Sequence, residues 1–465
     1  MEKKDGESTR RVKGNESGVK IPEGFIVRME EQIGTAETKA LCEALEEMPV
    51  TGVRLNPGKQ APDLWPGMGR VEGSERGYRL PQRPEFTLDP AWHQGRYYVQ
   101  EPSSMAVEQG AVRVEEWMSG RVRRVLDLCA APGGKSIAVI DRLPEDVLLI
   151  ANEYDRRRVS ILEENLTKWG RKNVIVTQGE VSRICSATEG SIDLLIADVP
   201  CSGEGMMRRE PAARQQWSEG LVKSCAALQR EILEEGIKAL RPGGWMIYST
   251  CTFNREENEE NVEWLCREHG MTRIEGLMEY EGHFFPHKVQ GEGFFFCLLQ
   301  KPSCAEQTQR KQKGGKGRKK LVEIADASQF SWYDAEGMIL FSTEDAVWAI
   351  GNEHKALAEE ILAKATVLSA GTKIATKGKR GWEPTHEVAM SQRLKRGCFE
   401  EMDLSRTDAL RYLARRTDFE TTVPEGGNAL LLATYQGVPL GWLKRIGNRC
   451  NNLYPMAWRI RKPLD

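Results

Sequence analysis

Long apolar runs are missing from this 465-residue chain: its strongest, Val147-Leu148-Leu149-Ile150-Ala151, falls far short of the roughly 18 residues a membrane-crossing helix needs. Residues 1–20 are polar and mixed in charge, without the apolar stretch of a secretory signal, so a cytoplasmic protein with no membrane association is expected. Paired cysteines are also missing. The eleven thiols stand singly at 42, 129, 185, 201, 225, 251, 266, 297, 304, 398 and 450, with no Cys-x-x-Cys, which argues against a disulfide framework or a closed zinc site. No metal is expected, and most of these thiols read as small buried hydrophobes. Nor is there an excess of one charge. Lys+Arg 66 against Asp+Glu 68 leaves −2, which excludes a uniformly basic nucleic-acid coat, while 29% charged and 40% hydrophobic residues exclude wholesale disorder.

At roughly 150 residues per domain the length suggests about three domains. Residues 1–20 read as a polar lead and residues 21–110, rich in Gly, Pro and aromatics, as a small α+β unit. Residues 111–300 alternate apolar runs with amphipathic stretches, the rhythm of a parallel sheet flanked by helices. Strands are expected at Val122 to Leu128, Val147 to Asn152, Asn173 to Thr177, Asp193 to Ala197 and Trp245 to Ser249, with an antiparallel closing hairpin from His283 to His287 and Phe294 to Leu299. Residues 301–320 carry eight Lys or Arg against one acid, Glu306, and read as a basic linker. Residues 321–390 are expected as an intermediate domain and 391–465 as a terminal one. Lys444, Arg445, Arg449, Arg459, Arg461 and Lys462 stand without any acid between Gly426 and Leu464, so a one-sided basic patch is expected there.

Three places carry chemistry. The first strand runs into Cys129-Ala130-Ala131-Pro132-Gly133-Gly134-Lys135-Ser136, whose small residues let backbone amides approach a ligand, and the next strand leads to Glu153, twenty residues beyond Gly133 and suited to a ribose diol. A phosphate-binding loop would need Gly where Cys129 stands, and no GxGxxG is present at this turn. An ordinary glycine turn stays open as the bland reading, and an adenosine-containing ligand without a bound pyrophosphate, such as S-adenosylmethionine, fits best. The fourth strand runs into Asp198-Val199-Pro200-Cys201-Ser202-Gly203-Glu204-Gly205 and the fifth into Tyr248-Ser249-Thr250-Cys251-Thr252-Phe253. Ligands sit beyond the carboxyl ends of strands in an open α/β sheet, so two thiols and a carboxylate are expected in one crevice with the glycine turn.

Those three motifs, in that order, closely resemble the Sun-type RNA (cytosine-5) methyltransferases. The resemblance extends to Tyr98-Val99-Gln100-Glu101-Pro102-Ser103-Ser104 and to Pro286-His287-Lys288-Val289-Gln290-Gly291-Glu292-Gly293. Gly437-Val438-Pro439-Leu440-Gly441-Trp442 and Asn451-Asn452-Leu453-Tyr454-Pro455 resemble the PUA-like end of the bacterial RsmF branch, which acts on small-subunit (16S) ribosomal RNA. The resemblance implies a Rossmann-like S-adenosylmethionine-dependent core, a small N-terminal α+β domain, a C-terminal PUA-like α+β region, and RNA as partner of a monomeric enzyme. It implies Cys251 as the nucleophile at carbon 6 of cytosine, Cys201 as the thiol that assists breakdown of the adduct, and Asp198 at nitrogen 3 of the base. The cofactor would lie on Cys129, Ala130, Ala131, Pro132, Gly133, Gly134 and Lys135, with Glu153 on its ribose, Arg158 nearby, Glu180 toward the adenine and Asp198 also facing it. Glu180 replaces the family's usual Asp, and Val199 its commoner Ala.

A DNA cytosine-5 methyltransferase, with Cys201 as nucleophile, and a non-catalytic RNA-binding assembly factor are the alternatives. No large DNA-recognition insert interrupts the core, and Asp198, Cys201 and Cys251 are all intact. Gln229 reads as a structural contact, and His283 and His287 as strand residues. The tryptophans at 332, 348, 382, 442 and 458 read as mostly core, with base stacking by Trp442 as the minority reading.

Overall fold

The computed structural model describes residues 19–63, 65–276, 282–303, 321–343, 345–379 and 381–464. Most of the basic segment expected at 301–320, and most of the polar lead, lie outside them.

The core sheet follows from five stretches that lie buried on both faces and therefore read as continuous apolar runs. Arg124–Asp127, Leu148–Glu153, Val174–Gln178, Ile192–Asp198 and Leu240–Thr250 pair in parallel, with Ile192–Asp198 and Leu148–Glu153 on either side of Arg124–Asp127. The order reverses at that first strand, so the crevice opens beyond its carboxyl end, between Asp127 and Asp198. Phe294–Gln300 adds antiparallel to Leu240–Thr250 and carries both Gly282–Phe284 and Thr272–Ile274. The helix Arg156–Trp169 shows how the covering layer forms. Val159, Leu162, Leu166 and Trp169 are buried at helical spacing, Asp155 caps the amides of Arg157 and Arg158, and Gly170 ends the helix at φ 81°.

Two helices, Glu23–Ile33 and Thr35–Leu45, precede a four-stranded antiparallel sheet of Gly69–Arg70, Gly77–Leu80, Thr51–Leu55 and Tyr97–Val99. That sheet is fastened to the core by the fully buried Arg54, which pairs with Glu108 and, at 3.1 Å, with Asp141. The C-terminal half holds a five-stranded sheet within residues 322–384 and a four-stranded sheet of Glu400–Asp403, Ala429–Tyr435, Val438–Ile446 and Arg449–Asn452. Among the described residues no helix is long and apolar enough to cross a membrane.

Three details differ from the sequence expectations. The interval 321–390 does not stand apart, because its strand Thr366–Ala370 hydrogen-bonds antiparallel to Val174–Gln178 and becomes the edge of the core sheet. Arg445 is no member of a solvated patch: it is buried, donates to the carbonyls of Gly427 and Pro424 at 2.8 and 3.0 Å, and pairs with Glu400 at 2.8 Å. Trp442 cannot stack on a base, since it is buried against Phe399 with its indole N–H on the Thr385 carbonyl at 2.7 Å.

Candidate active site

The glycine turn is shaped by backbone. Ala130 donates to the Asn152 carbonyl at 2.8 Å, tying the turn to the end of the second core strand. Gly133 sits at φ 111°, a conformation side chains rarely adopt, and a Cβ on Gly134 would press to 3.0 Å from the Tyr98 ring. The buried Glu153 accepts from Ala131 N at 3.3 Å and Asp155 N at 2.9 Å. Arg158, half-exposed, donates to the Ala131 carbonyl at 2.5 Å and lies 3.7 Å from Glu153. Glu180 is exposed at the head of the helix Val181–Ala187, on a corner fixed by Gly179 N to the Glu153 carbonyl at 3.0 Å. Cys129 remains a thiol, its pKa raised chiefly by burial.

Lys135, grouped by sequence with the cofactor turn, points instead across the crevice. Its ammonium lies 2.7 Å from Asp198 Oδ2, and Ser249 donates to Asp198 Oδ1 at 2.9 Å. Burial works against that ammonium, but the Asp198 carboxylate outweighs it and holds the Lys135 pKa above its ordinary value. Below them Asp127 is buried, takes a 2.6 Å hydrogen bond from Ser136 on one oxygen and has no partner for the other. Desolvation pushes its pKa up to about 7.

The two thiols expected in one crevice are there. Cys201 Sγ and Cys251 Sγ stand 3.2 Å apart, both partly exposed and unbridged. The hydrogen bond to Cys251, and then burial, raise the Cys201 pKa well above that of a free thiol. Either sulfur can be the donor in that contact.

What holds these loops together is a buried polar lattice, most of whose contacts the motifs do not reveal. Glu204 Oε2 accepts from Thr252 Oγ1 at 2.6 Å and from the amides of Phe253 and Asn254 at 2.7 and 3.0 Å, while Glu204 Oε1 accepts from the Trp217 indole at 2.9 Å. Glu257 accepts from Ser202 N at 2.9 Å, Asn254 Nδ2 at 2.7 Å and Gln229 Nε2 at 2.8 Å. Gln229 also donates to the Pro200 carbonyl at 2.9 Å, so it positions the Cys201 loop from behind. His283 lies on the strand Gly282–Phe284 and pairs with Glu259 at 2.7 Å, whereas His287, expected on the same strand, stands in the turn after it and pairs with Glu37 at 3.0 Å. The acid at Glu204 was visible in the motif; its four partners, scattered from Trp217 to Asn254, left no local signal.

A switch-point crevice with a glycine turn, an acid closing the second strand and reactive side chains on the fourth and fifth defines a Rossmann-like methyltransferase. Two solved structures share this fold: a methyltransferase homologue from Pyrococcus horikoshii (24% identical, TM-score 0.50, covering 60% of this chain and 95% of that one) and NSun6 from the same organism with SFG (20%, 0.51, 61% and 99%). The chain belongs to the 16S rRNA methyltransferase RsmB/F family, whose model matches residues 120–300, and to its RsmF branch, whose N-terminal and PUA domain models match residues 21–102 and 399–460. Similar relatives include the ribosomal RNA small subunit methyltransferase F of Citrobacter koseri, 30% identical across 94% of this chain and 96% of the relative, and that of Salmonella agona, 33% identical across 78% of each.

Proposed function

We propose that this chain is an S-adenosylmethionine-dependent RNA (cytosine-5) methyltransferase that acts on small-subunit (16S) ribosomal RNA. The observation that carries this reading is the Cys201–Cys251 pair, 3.2 Å apart at the ends of two neighbouring strands, beside Asp198. The relatives named small subunit methyltransferase F and the matched RsmF PUA domain support RNA as the substrate.

The turn fits the cofactor. A left-handed Gly133, a Gly134 whose added Cβ would press on the Tyr98 ring at 3.0 Å, and a buried Asp127 oxygen without a hydrogen-bond partner among the described residues leave a polar cradle made by backbone. Residues 129–135 would hold the ligand, with Glu153 and neighbouring Arg158 at its ribose, Glu180 toward its adenine and Asp198 at its reactive end. When bound, its sulfonium supplies an electrophilic methyl group.

Carbon 5 of cytosine is too weak a nucleophile to take that methyl unaided. The Cys251 thiolate adds to carbon 6, and the electron pair it displaces makes carbon 5 enamine-like. Charge develops at nitrogen 3 during this addition, and Asp198, held by the Lys135 ammonium at 2.7 Å, hydrogen-bonds the base there. Once carbon 5 carries the methyl group, the Cys201 sulfur acts as base and takes its proton, the electrons of that carbon–hydrogen bond re-form the 5,6 double bond, and the carbon–sulfur bond breaks with its electron pair returning to Cys251. Cys201 assists this elimination.

The test is a denaturing gel with labelled RNA. Cys251→Ala should neither methylate nor form an adduct, and Cys201→Ala should accumulate as a slow-migrating protein–RNA complex. The opposite pattern exchanges the two roles. Methyl transfer to DNA and not to RNA overturns the substrate, and intact methylation by both variants without any adduct removes covalent catalysis.

A further inference from the structure

Two stretches of the sequence have no part in that chemistry, Tyr98 to Ser104 and Pro286 to Gly293, and they meet on one cavity. It measures about 210 Å³ and lies between the N-terminal sheet and the core, lined by Glu72, Arg79, Pro102, Ser103, Val289 and Gln290 among others. That is below the roughly 300–1,000 Å³ of pockets for drug-sized ligands, so it suits a single ring system.

Its walls are set in advance. Glu101 Oε1 accepts from Ser103 N and Glu292 N, both at 2.9 Å, and Glu101 Oε2 accepts from Ser104 N at 2.7 Å, so one carboxylate clamps the two stretches together. A Cβ on Gly291 would come to 2.8 Å from that carboxylate, which explains the glycine. By contrast, neither the Arg79 guanidinium nor the Gln290 amide has a hydrogen-bond or ion-pair partner among the described residues. The cavity therefore sets apolar Pro102 and Val289 beside an unpaired guanidinium and an unpaired amide, with Glu72 and the Glu37-paired Lys288 also on its lining.

One of its walls is linked through the chain to the thiol loop. Gln290 is three residues from Gly293, a reach of at most ~11 Å. Gly293 packs on Gly205, and Gly205 N donates to the Cys251 carbonyl at 2.9 Å. We infer that this cavity receives the base of an unpaired nucleotide next to the target cytidine, with Arg79 on its phosphate and Gln290 on its base edge. The inference rests on the RNA substrate proposed above. A target base turned into the crevice loses its stacking, and a neighbour seated on Pro102 and Val289 restores part of that contact while fixing the register of the strand.

The experiment measures binding of the full chain, by fluorescence anisotropy, to a 12-nucleotide oligocytidylate and to the same backbone without bases. Arg79→Ala should weaken binding of both by about tenfold, as expected for a phosphate contact. Gln290→Ala should weaken the oligocytidylate by about tenfold and leave the base-free strand unchanged. Equal effects of Gln290→Ala on both probes, or no effect on either, overturn the inference. So does normal RNA binding by both variants coupled to loss of methylation on assembled small subunits alone, which makes the occupant a protein side chain. Because the readout is binding, a wild-type chain that transfers no methyl to RNA defeats the proposed activity without touching this result.

Discussion

The wall of the crevice that carries the thiols is held by side chains, whereas the wall proposed for the cofactor is held by backbone. On the thiol side Glu204, Glu257, Asn254 and Gln229 are fully buried and saturated with hydrogen bonds. On the other side the shape comes from Gly133 at φ 111° and from strand-end amides, and the main cation, Arg158, is 53% exposed. Two sulfurs held 3.2 Å apart at the ends of different strands need over-determined positions. A ligand that binds and leaves needs a cradle with room and few obligations.

That contrast can be broken in order of severity. Glu204→Ala would strand two amides, an indole N–H and a hydroxyl at once, so unfolding free energy should fall by about 3–5 kcal/mol and methyl transfer should vanish; a denaturant titration reads the first. Glu153→Ala should leave the fold intact and weaken S-adenosylmethionine by about 10- to 100-fold in calorimetry, the loss of one or two charge-assisted hydrogen bonds. Gly133→Val should do the same by forcing a branched residue into a left-handed turn.

Asp127 sharpens the comparison through pH. Its folded pKa, about 7, lies above the ordinary carboxyl value near 4, so the folded protein holds a proton that the unfolded chain has released. Stability from this group is present below pH ~4 and declines as pH rises through about 7. Asp127→Asn should therefore flatten the fall in unfolding midpoint between pH 5 and pH 8; an unchanged slope would dismiss the burial effect.

The smallest effects belong to the C-terminal sheet. Arg445→Ala should cost about 2 kcal/mol of stability because Glu400 and two carbonyls lose their donor. The exposed Lys444, its neighbour, should cost nothing in stability on change to Ala, but should lower the salt dependence of RNA affinity by about one released counterion. A stability loss at Lys444 would contradict that division.

The core strands were legible because they are apolar throughout, and the meeting of Asp198, Cys201 and Cys251 in one crevice because they follow strand ends where an α/β sheet puts its ligands. Expected and observed limits differ by a residue or two at most ends, as with Asp193 to Ala197 against Ile192–Asp198; the fifth strand alone starts much earlier, at Leu240 rather than Trp245. The lattice behind the thiols was not legible. Its members are ordinary Asn, Gln and Glu on different loops, and only the fold brings Trp217 to Glu204 or Gln229 to Pro200. The ion pair of Lys135 with Asp198 was not legible either, since the reach of a long side chain across the crevice leaves no mark in the turn. Arg445 misled for the converse reason, since charge in a sequence does not state which side of a strand it faces.

The strand Thr366–Ala370 has a further meaning for how the molecule comes into being. During synthesis the five parallel strands are complete by Thr250, more than a hundred residues before the segment that closes the Val174–Gln178 edge. Until then a row of unpaired amides and carbonyls faces outward, the kind of surface that recruits a stray strand from another nascent chain. Residues 366–370 therefore act as an intramolecular guard, and a fragment ending near residue 300 would leave the ribosome with that flank open.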